Sequence, residues 1–259
     1  MDSPKQIRSR IRENLVSGST AGLAPGFIQC NVVIISADDA DEFAEYCDIN
    51  PKVCPIISRS EPGQYLLSEL GNDVDVRTDL GGYNIFRQGE AVVEVESIRE
   101  VWRDDFVVFS YGCSFSFEAA LLSEGTDLAY LRRGQREALY MTNIETERTG
   151  CFGGKLIVSM RPFHPAEAIK AISVTDKFPG VHGAPVHIGL PELIGVDLTD
   201  PYETLGPVSV QSDEIPVFWA CGVTPQLALI DASLPIWITH KSAHMLITDI
   251  RLSEFAEKS

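Results

Sequence analysis

The sequence predicts an α/β fold, and three observations carry that expectation. Apolar runs of strand length alternate with segments of helix length along most of the 259 residues. "YNIFRQGEAVVEVES" (83–97) shows two alternating runs joined across Gln88-Gly89, a hairpin signal that adds an antiparallel portion. At two places an apolar strand meets a cysteine beside a glycine and then a helix, at the kind of sheet edge where α/β proteins bind ligands. The expected architecture is a layered αβα sandwich with a mixed sheet plus a smaller α+β subdomain. Residues 1–259 read as one compact unit of two interleaved subdomains, with the hairpin-containing part near 72–105 and no readable boundary.

In order along the chain, Ser3 and Pro4 open a helix on which Ile7, Ile11 and Leu15 share one face. This basic start reads as an amphipathic surface helix, with a transit peptide as the alternative. "FIQCNVVIIS" (27–36) is a buried strand, and "ADDADEFAEYCDIN" (37–50) is a helix whose acidic first turn suits its dipole. "VCPIIS" (53–58) is a second strand, and 59–82 is mostly loop with one short helix. After the hairpin come a short helix around Trp102, the strand "DFVVFSYG" (105–112) and the helix "SFEAALLSEG" (116–125). "KLIVSMRPF" (155–163) is a strand, and "HPAEAIKAISVTDKF" (164–178) is a helix with Pro165 in its first turn. The last third alternates short strands with one helix.

Composition narrows the function. Hydrophobic residues at 44% and charged residues at 22% are ordinary for a globular protein, and no apolar stretch approaches a membrane span. A net charge of −16 opposes nucleic acid as a partner, because phosphate binding needs a basic face. It leaves room for a small anionic amino acid or carboxylate held locally by an arginine or a helix N-terminus. Six cysteines without a Cys-x-x-Cys pair, and no apolar signal core, point to free thiols in the cytoplasm. A homo-oligomer is left open.

The two corners are "VFSYGCSFSFEAALL" (108–122) and "VFWACGVTPQLALI" (217–230). Each places a thiol, Cys113 or Cys221, where a strand hands over to a helix N-terminus whose unpaired N–H groups favour anions. In the second, Thr224 reads as the N-cap, Pro225 as the first helical residue, and Gly222 as room for a turn and for close approach of a substrate. Gln226 would turn its amide back to the same pocket. The histidines cluster late: His182 and His187 flank "GAPV", and His240 and His244 flank "KSA". Their spacing matches no zinc signature, so the expectation is no cofactor, with a divalent metal as the alternative. Arg161, near the end of its strand, would fork onto a substrate carboxylate. Asn143, in the polar cluster "MTN", is a further candidate.

Several segments, taken together, resemble one family: "TAGLAPGFIQCN", "NPKVCPIISRSEPG", "VWRDDFVVFSYGCSFSFEAALL", "GKLIVSMRP", "FPGVHGAPVHIG", "IPVFWACGVTPQ" and "ITHKSAHMLITD". The chain is identified by them as a member of the bacterial "putative hydro-lyase" family, which is similar to D-glutamate cyclase. The resemblance covers nearly the whole length, and Ala243 departs from it at a position that is usually glycine. It implies an α/β sandwich and a hydro-lyase acting on a small amino acid or carboxylate, such as D-glutamate cyclising to 5-oxo-D-proline.

For that chemistry His182 or His187 is the expected base, and Ser114 with the Cys113 corner and Gly222–Thr224 would hold an oxyanion. Arg161 anchors a carboxylate, and Cys113 or Cys221 acts as acid or thiolate nucleophile. Asn143, Gln226, His240 and His244 complete the substrate-binding set. The expected site gathers 113–118, 182–187 and 221–226 at one sheet edge. Two alternatives stand beside it: a cofactor-independent racemase or epimerase using both cysteines, and a non-catalytic binding protein of oxoproline metabolism.

Overall fold

The strand Phe27–Ser36 (β1) is apolar and β-branched at almost every position, and it is buried from Ile28 to Ile35. Such a run needs cover on both faces, and β1 has it. Cys30, Val32 and Ile34 face one core while Val33 and Ile35 face another, as the period of two in a strand requires. In this computed structural model, residues 2–16, 18–88, 90, 92–136, 138–204, 206 and 208–256 are described.

The first helix, Pro4–Arg12 (α1), starts at a Ser3 capping box and ends before Leu15, which is exposed. Asn14, with φ 56°, stops it. Ile7 and Ile11 are buried as expected, and so is Arg8, which ion-pairs with Asp73 and Asp249 and donates to the Ile247 carbonyl. Ser36 caps the helix Ala37–Ile49 (α2). Then come the strands Ile56–Arg59 (β2), Tyr83–Arg87 (β3), Val93–Val95 (β4) and Phe106–Gly112 (β5). The hairpin of β3 and β4 forms as expected, although Gly89 of its turn lies outside the described residues. Residues 59–82 contain no helix, only turns and a bridge between Leu66 and Asp75, and a single 3-10 turn, Arg99–Val101, stands before Trp102.

The helices Phe115–Ser123 (α3) and Ala129–Arg132 (α4) lead to the strands Ala138–Glu145 (β6) and Lys155–Phe163 (β7). Next are the helix Pro165–Thr175 (α5), the strands His187–Ile188 (β8), Glu203–Thr204 (β9) and Ile215–Ala220 (β10), and the helix Thr224–Ala232 (α6). Ile236–His240 (β11) and Leu246–Arg251 (β12) close the fold. No helix among the described residues is long and apolar enough to cross a membrane.

The α/β class holds, with helices and two sheets. A mixed sheet was expected; every described strand pair is instead antiparallel. The reason lies in the connections. A helix that follows one strand here returns the chain beside a different neighbour, so alternation of strand and helix does not build parallel crossovers.

The two sheets repeat one plan. The first runs β2-β5-β1-β11-β3-β4, with β12 also on β1, and the second runs β8-β10-β7-β6-β9. β1, α2, β2, β5 and α3 of the first correspond in order to β7, α5, β8, β10 and α6 of the second. Each half then lends its next strand to the other: β6 pairs with β7, and β11 with β1. Register confirms the correspondence. Tyr111 pairs with Asn31 and Trp219 with Ser159, and both Cys113 and Cys221 stand two residues beyond those partners. The Ser116 hydroxyl accepts from the Gln29 N–H at 2.9 Å, and the Thr224 hydroxyl accepts from the Ile157 N–H at 2.9 Å.

Candidate functional site

The site lies where β1 changes neighbours. β12 pairs with its first residues, Phe27 to Cys30, and β11 with Val33 to Ile35. The loop 241–245 between those strands swings away, so Asn31 is left in the gap. Thr20 holds this loop: its N–H and hydroxyl donate to the Ala243 carbonyl, and its hydroxyl accepts from the Met245 N–H. Ala243 has φ 61°, a left-handed conformation that glycine adopts at no steric cost. That accounts for glycine being usual there, and Ala243 tolerates the strain because three hydrogen bonds hold the turn.

Asn31 joins the two corners. Its Nδ2 donates to the Gly112 carbonyl at 2.8 Å, beside Cys113. Its amide lies so close to Gly222 that a methyl group there would overlap it. Gly222 lies in the turn that leads into α6, as expected, with no left-handed φ, and its missing side chain makes room for Asn31. Tyr111 adds a hydroxyl bond to the Gly222 carbonyl at 2.9 Å. Thus the Cys113 and Cys221 corners meet across one asparagine, which sequence reasoning missed. The signal available was a polar residue inside the otherwise apolar run of β1.

His240 ends β11 in the same gap and is 1% exposed. Its Nδ1 lies 2.9 Å from the Lys241 carbonyl and donates to it, which leaves Nε2 as the acceptor of the neutral ring. Gln226 Nε2 donates to that nitrogen at 3.3 Å, so the amide turns back as expected. Asn31 Oδ1 stands 3.2 Å from the same nitrogen. Burial pushes the His240 pKa down to about 4, against the pull of the Lys241 carbonyl. The resting ring is neutral and already donates to Lys241, and the Asn31 oxygen stands ready to accept from Nε2 once that nitrogen is protonated.

His182 is also 1% exposed, in a left-handed conformation with φ 81°. Its Nδ1 bonds the Lys52 carbonyl at 2.9 Å, and its ring also bonds the backbone of Gly112. Burial again lowers its pKa to about 4. The segment before it packs so closely on Gly112 that a side chain at 112 would overlap the Gly180 carbonyl.

Arg161 is buried on β7, two residues short of the strand's end at Phe163. Its Nε donates to Glu118 at 2.8 Å, Nη1 to Ser159 at 3.0 Å and Nη2 to the Ser114 hydroxyl at 3.2 Å. The carboxylate in its fork is therefore that of Glu118. Its guanidinium also lies over Phe117 and Trp219. Ser114 is the N-cap residue of α3 without a side-chain cap bond, consistent with its tie to Arg161.

The remaining candidates divide. Cys113 is buried among Phe115, Ala243 and Met245, while Cys221 is half-buried. Thr224 is not the N-cap; Val223 is, and Pro225 takes the second position. The Thr224 hydroxyl is drawn instead onto the backbone of β7 at Ile157, just past the end of β10, where it both accepts and donates. His244 lies beside His240 but bonds the Ser242 carbonyl at 2.7 Å. His187 is at a sheet edge with its Nε2 on the Leu190 carbonyl, and Asn143 is exposed on β6 against Gly195. Neither has a described contact with the gap. No three His, Cys, Asp or Glu side chains gather for a metal ion among the described residues.

The family model described as D-glutamate cyclase matches residues 107–249, which contain both corners, Arg161, His182 and His240. A protein of Afipia carboxidovorans named "Putative hydro-lyase" is 49% identical over 98% of this chain and 94% of its own. A Burkholderia cenocepacia protein of the same description is 46% identical over 98% and 99%, and one from Paraburkholderia phymatum is 47% identical over 98% and 99%. Among solved structures, a nitrogen repressor-like protein from Methanococcus jannaschii matches at 12% identity over 99% of each chain with a TM-score of 0.40. The family model, over more than half of the chain, places it in the D-glutamate cyclase family, and identity at this level over nearly the full length joins it to the bacterial proteins named putative hydro-lyase.

Proposed function

We propose that the chain is a carbon–oxygen lyase that removes water from a small amino acid or carboxylate, with D-glutamate cyclising to 5-oxo-D-proline as the specific reaction. One observation carries this reading: a buried, neutral His240 whose Nε2 faces an unprotonated acceptor, Asn31 Oδ1, between two helix N-termini. His240 takes a proton from the α-ammonium, directly or across one water. The imidazolium then donates from Nδ1 to Lys241 and from Nε2 to Asn31, so the charge forms where acceptors already stand. The freed amine attacks the γ-carboxyl carbon, a C–N bond forms as the C=O π bond opens, the nitrogen gives up a second proton, and both protons pass by way of His240 to one carboxyl oxygen as its C–O bond breaks. That oxygen leaves as water, and no cofactor is needed for the balance.

At the starts of α3 and α6 the Ser116, Phe117, Thr224 and Gln226 N–H groups already bond carbonyls and Pro225 has none, so the donors proposed for the substrate carboxylate and the oxyanion are the N–H groups of Gly222 and Val223 just ahead of α6. An oxyanion donor is commonly worth about 3 kcal/mol. Holding the extended chain of glutamate in a ring-forming conformation supplies several kcal/mol more, on the order of other proximity effects. The half-buried Cys221, Gln226, Lys241 and Ser242 form the rim through which substrate would enter. The relatives' names add support for dehydration as the reaction class, and neither the racemase nor the binding-protein alternative gains any.

The test is incubation of the purified protein with D- and L-glutamate and a panel of hydroxy acids, followed by mass spectrometry and chiral analysis. Loss of water from D-glutamate is expected. Inversion without loss of water, or no change in any substrate, sinks the proposal.

A further inference from the structure

Tyr111 is fully buried on β5, directly opposite Asn31 of β1, so the two side chains leave the sheet on the same face. Both reach the second corner. The Asn31 amide fills the place that a side chain at Gly222 would take, and the Tyr111 hydroxyl donates to the Gly222 carbonyl at 2.9 Å. Burial pushes the phenol well above its ordinary titration range, so it stays protonated and donates.

The peptide bonds are trans, and in a trans unit the carbonyl and the N–H point in opposite directions. The N–H that shares a unit with the Gly222 carbonyl is that of Val223. It therefore points away from the buried phenol, and Val223 is half-buried at the rim with Cys221 and Gln226. The Cys221 carbonyl is held in the same way by the Thr224 N–H at 3.0 Å, which turns the Gly222 N–H away from the start of α6. Neither the Gly222 nor the Val223 N–H meets a backbone carbonyl among the described residues.

The two halves of the molecule supply a control. Trp219 stands on β10 where Tyr111 stands on β5, yet its Nε1 donates to the Thr175 hydroxyl of α5, in its own half. A donor that crosses to the opposite corner is thus no requirement of the repeated plan.

We propose that Tyr111 is a positioning residue for the dehydration: by holding the Gly222 carbonyl, it aims and polarises the Val223 N–H as a donor to the oxyanion. The inference rests on reading the gap at His240 as the dehydration site. A hydrogen bond to the carbonyl polarises the whole peptide unit and strengthens its N–H. It also fixes the plane of that unit before charge develops, and a donor held in place beforehand is the effective kind.

The experiment starts from Tyr111→Phe, which keeps the ring and removes the hydroxyl. Turnover of D-glutamate is expected to fall about 10- to 100-fold, with KM within about threefold of the parent, because the donor is weakened and not removed. Calorimetry with a cyclic phosphonamidate, whose tetrahedral phosphorus carries an anionic oxygen in place of the γ-carbon, should show binding weakened by a similar factor. Planar 5-oxo-D-proline should bind within about threefold of the parent. Replacing Val223 by its α-hydroxy acid turns the N–H into an ester oxygen and should cost about 10²- to 10³-fold in turnover. In that background Tyr111→Phe should remove less than about a further twofold, since the group it acts through is gone. Four results overturn the inference: turnover in Tyr111→Phe within threefold of the parent, equal weakening of both ligands, undiminished turnover in the ester, or losses that multiply in the double variant. Any of these in an active parent sinks the inference alone, whereas a parent that does not turn over D-glutamate sinks the dehydration reading and the inference with it.

Discussion

The β5-to-α3 corner and the β10-to-α6 corner occupy matching places in the two halves, yet they are finished in different ways. Both end a central strand in a cysteine, and both pin the neighbouring strand with a helix hydroxyl, Ser116 on Gln29 and Thr224 on Ile157. At the first corner the thiol is packed in. Cys113 is packed by Phe115, Ala243 and Met245, and Ser114 is tied to a buried Arg161–Glu118 pair. At the second, Cys221 and Gln226 are half-buried, and His240 stands beneath them with Asn31. The same backbone device thus ends in a buried thiol on one side and a half-buried one on the other. The partner strands differ as well: β1 carries Asn31 beside the first corner, and its amide reaches across to Gly222 of the second, while β7 carries Ser159 beside the second corner, and its hydroxyl takes Arg161.

The largest effect should come from the chemistry of the second corner. His240→Gln is expected to lower turnover about 10²- to 10⁴-fold, and Asn31→Ala to follow it closely, since the two act on one proton. Steady-state kinetics on D-glutamate checks this. Turnover within threefold of the parent in His240→Gln would move the base elsewhere, with His182 next in line.

The first corner should respond in stability instead. Arg161→Met leaves Glu118 buried without its partner and is expected to cost about 3–5 kcal/mol in denaturant unfolding. Adding Glu118→Gln should recover part of that loss. If the single and double variants unfold alike, the pair is not what holds this corner.

Gly222→Ala tests the contact between the halves. The new methyl would overlap the Asn31 amide, with an expected cost of about 1–3 kcal/mol. Asn31→Ser in the same chain should restore the stability but not the turnover, which separates packing from chemistry. Recovery of both would show that Asn31 has no part in the reaction.

Two smaller effects sharpen the contrast. His182 and His240 are held near pKa 4 by burial, below the ordinary value of 6.5. The unfolded chain therefore binds more protons between those values, and stability is full above about pH 6.5 and falls as the pH drops toward 4. His240→Gln should flatten part of that slope, and an unchanged slope would refute the assignment. For the thiols, alkylation should proceed fastest at exposed Cys151, then at half-buried Cys221, and slowest at Cys113. Labelling of Cys113 as fast as Cys221 would mean the first thiol is not packed in.

How much of this was legible in the sequence varies by residue. The echo of 108–122 and 217–230 was visible as a pattern of strand, thiol and helix, and it marks a true correspondence of the two halves. The helix around Ile7 and Ile11 and the hairpin at 83–97 were legible because short-range periodicity alone defines them. The antiparallel pairing was not, because the strand beside β1 is β11, some two hundred residues away. Arg161 illustrates the limit for the site. A cation near a sheet edge reads as a carboxylate binder, and only packing showed that the carboxylate is Glu118.

The sequence by itself determined the class of fold, the positions of both corners and, through motifs spread over the whole chain, the family. Those features depend on neighbours a few residues apart or on the identity of residues in order. Tertiary structure alone decided that β6 and β11 exchange sheets, that Asn31 bridges Gly112 and Gly222, and that His240 rather than His187 stands at the junction. The physical reason is that burial and hydrogen-bond partners are set by strands brought together from distant parts of the chain. A histidine's role follows from what closes around it, and β1, β11 and α6 close around this one only in the folded protein.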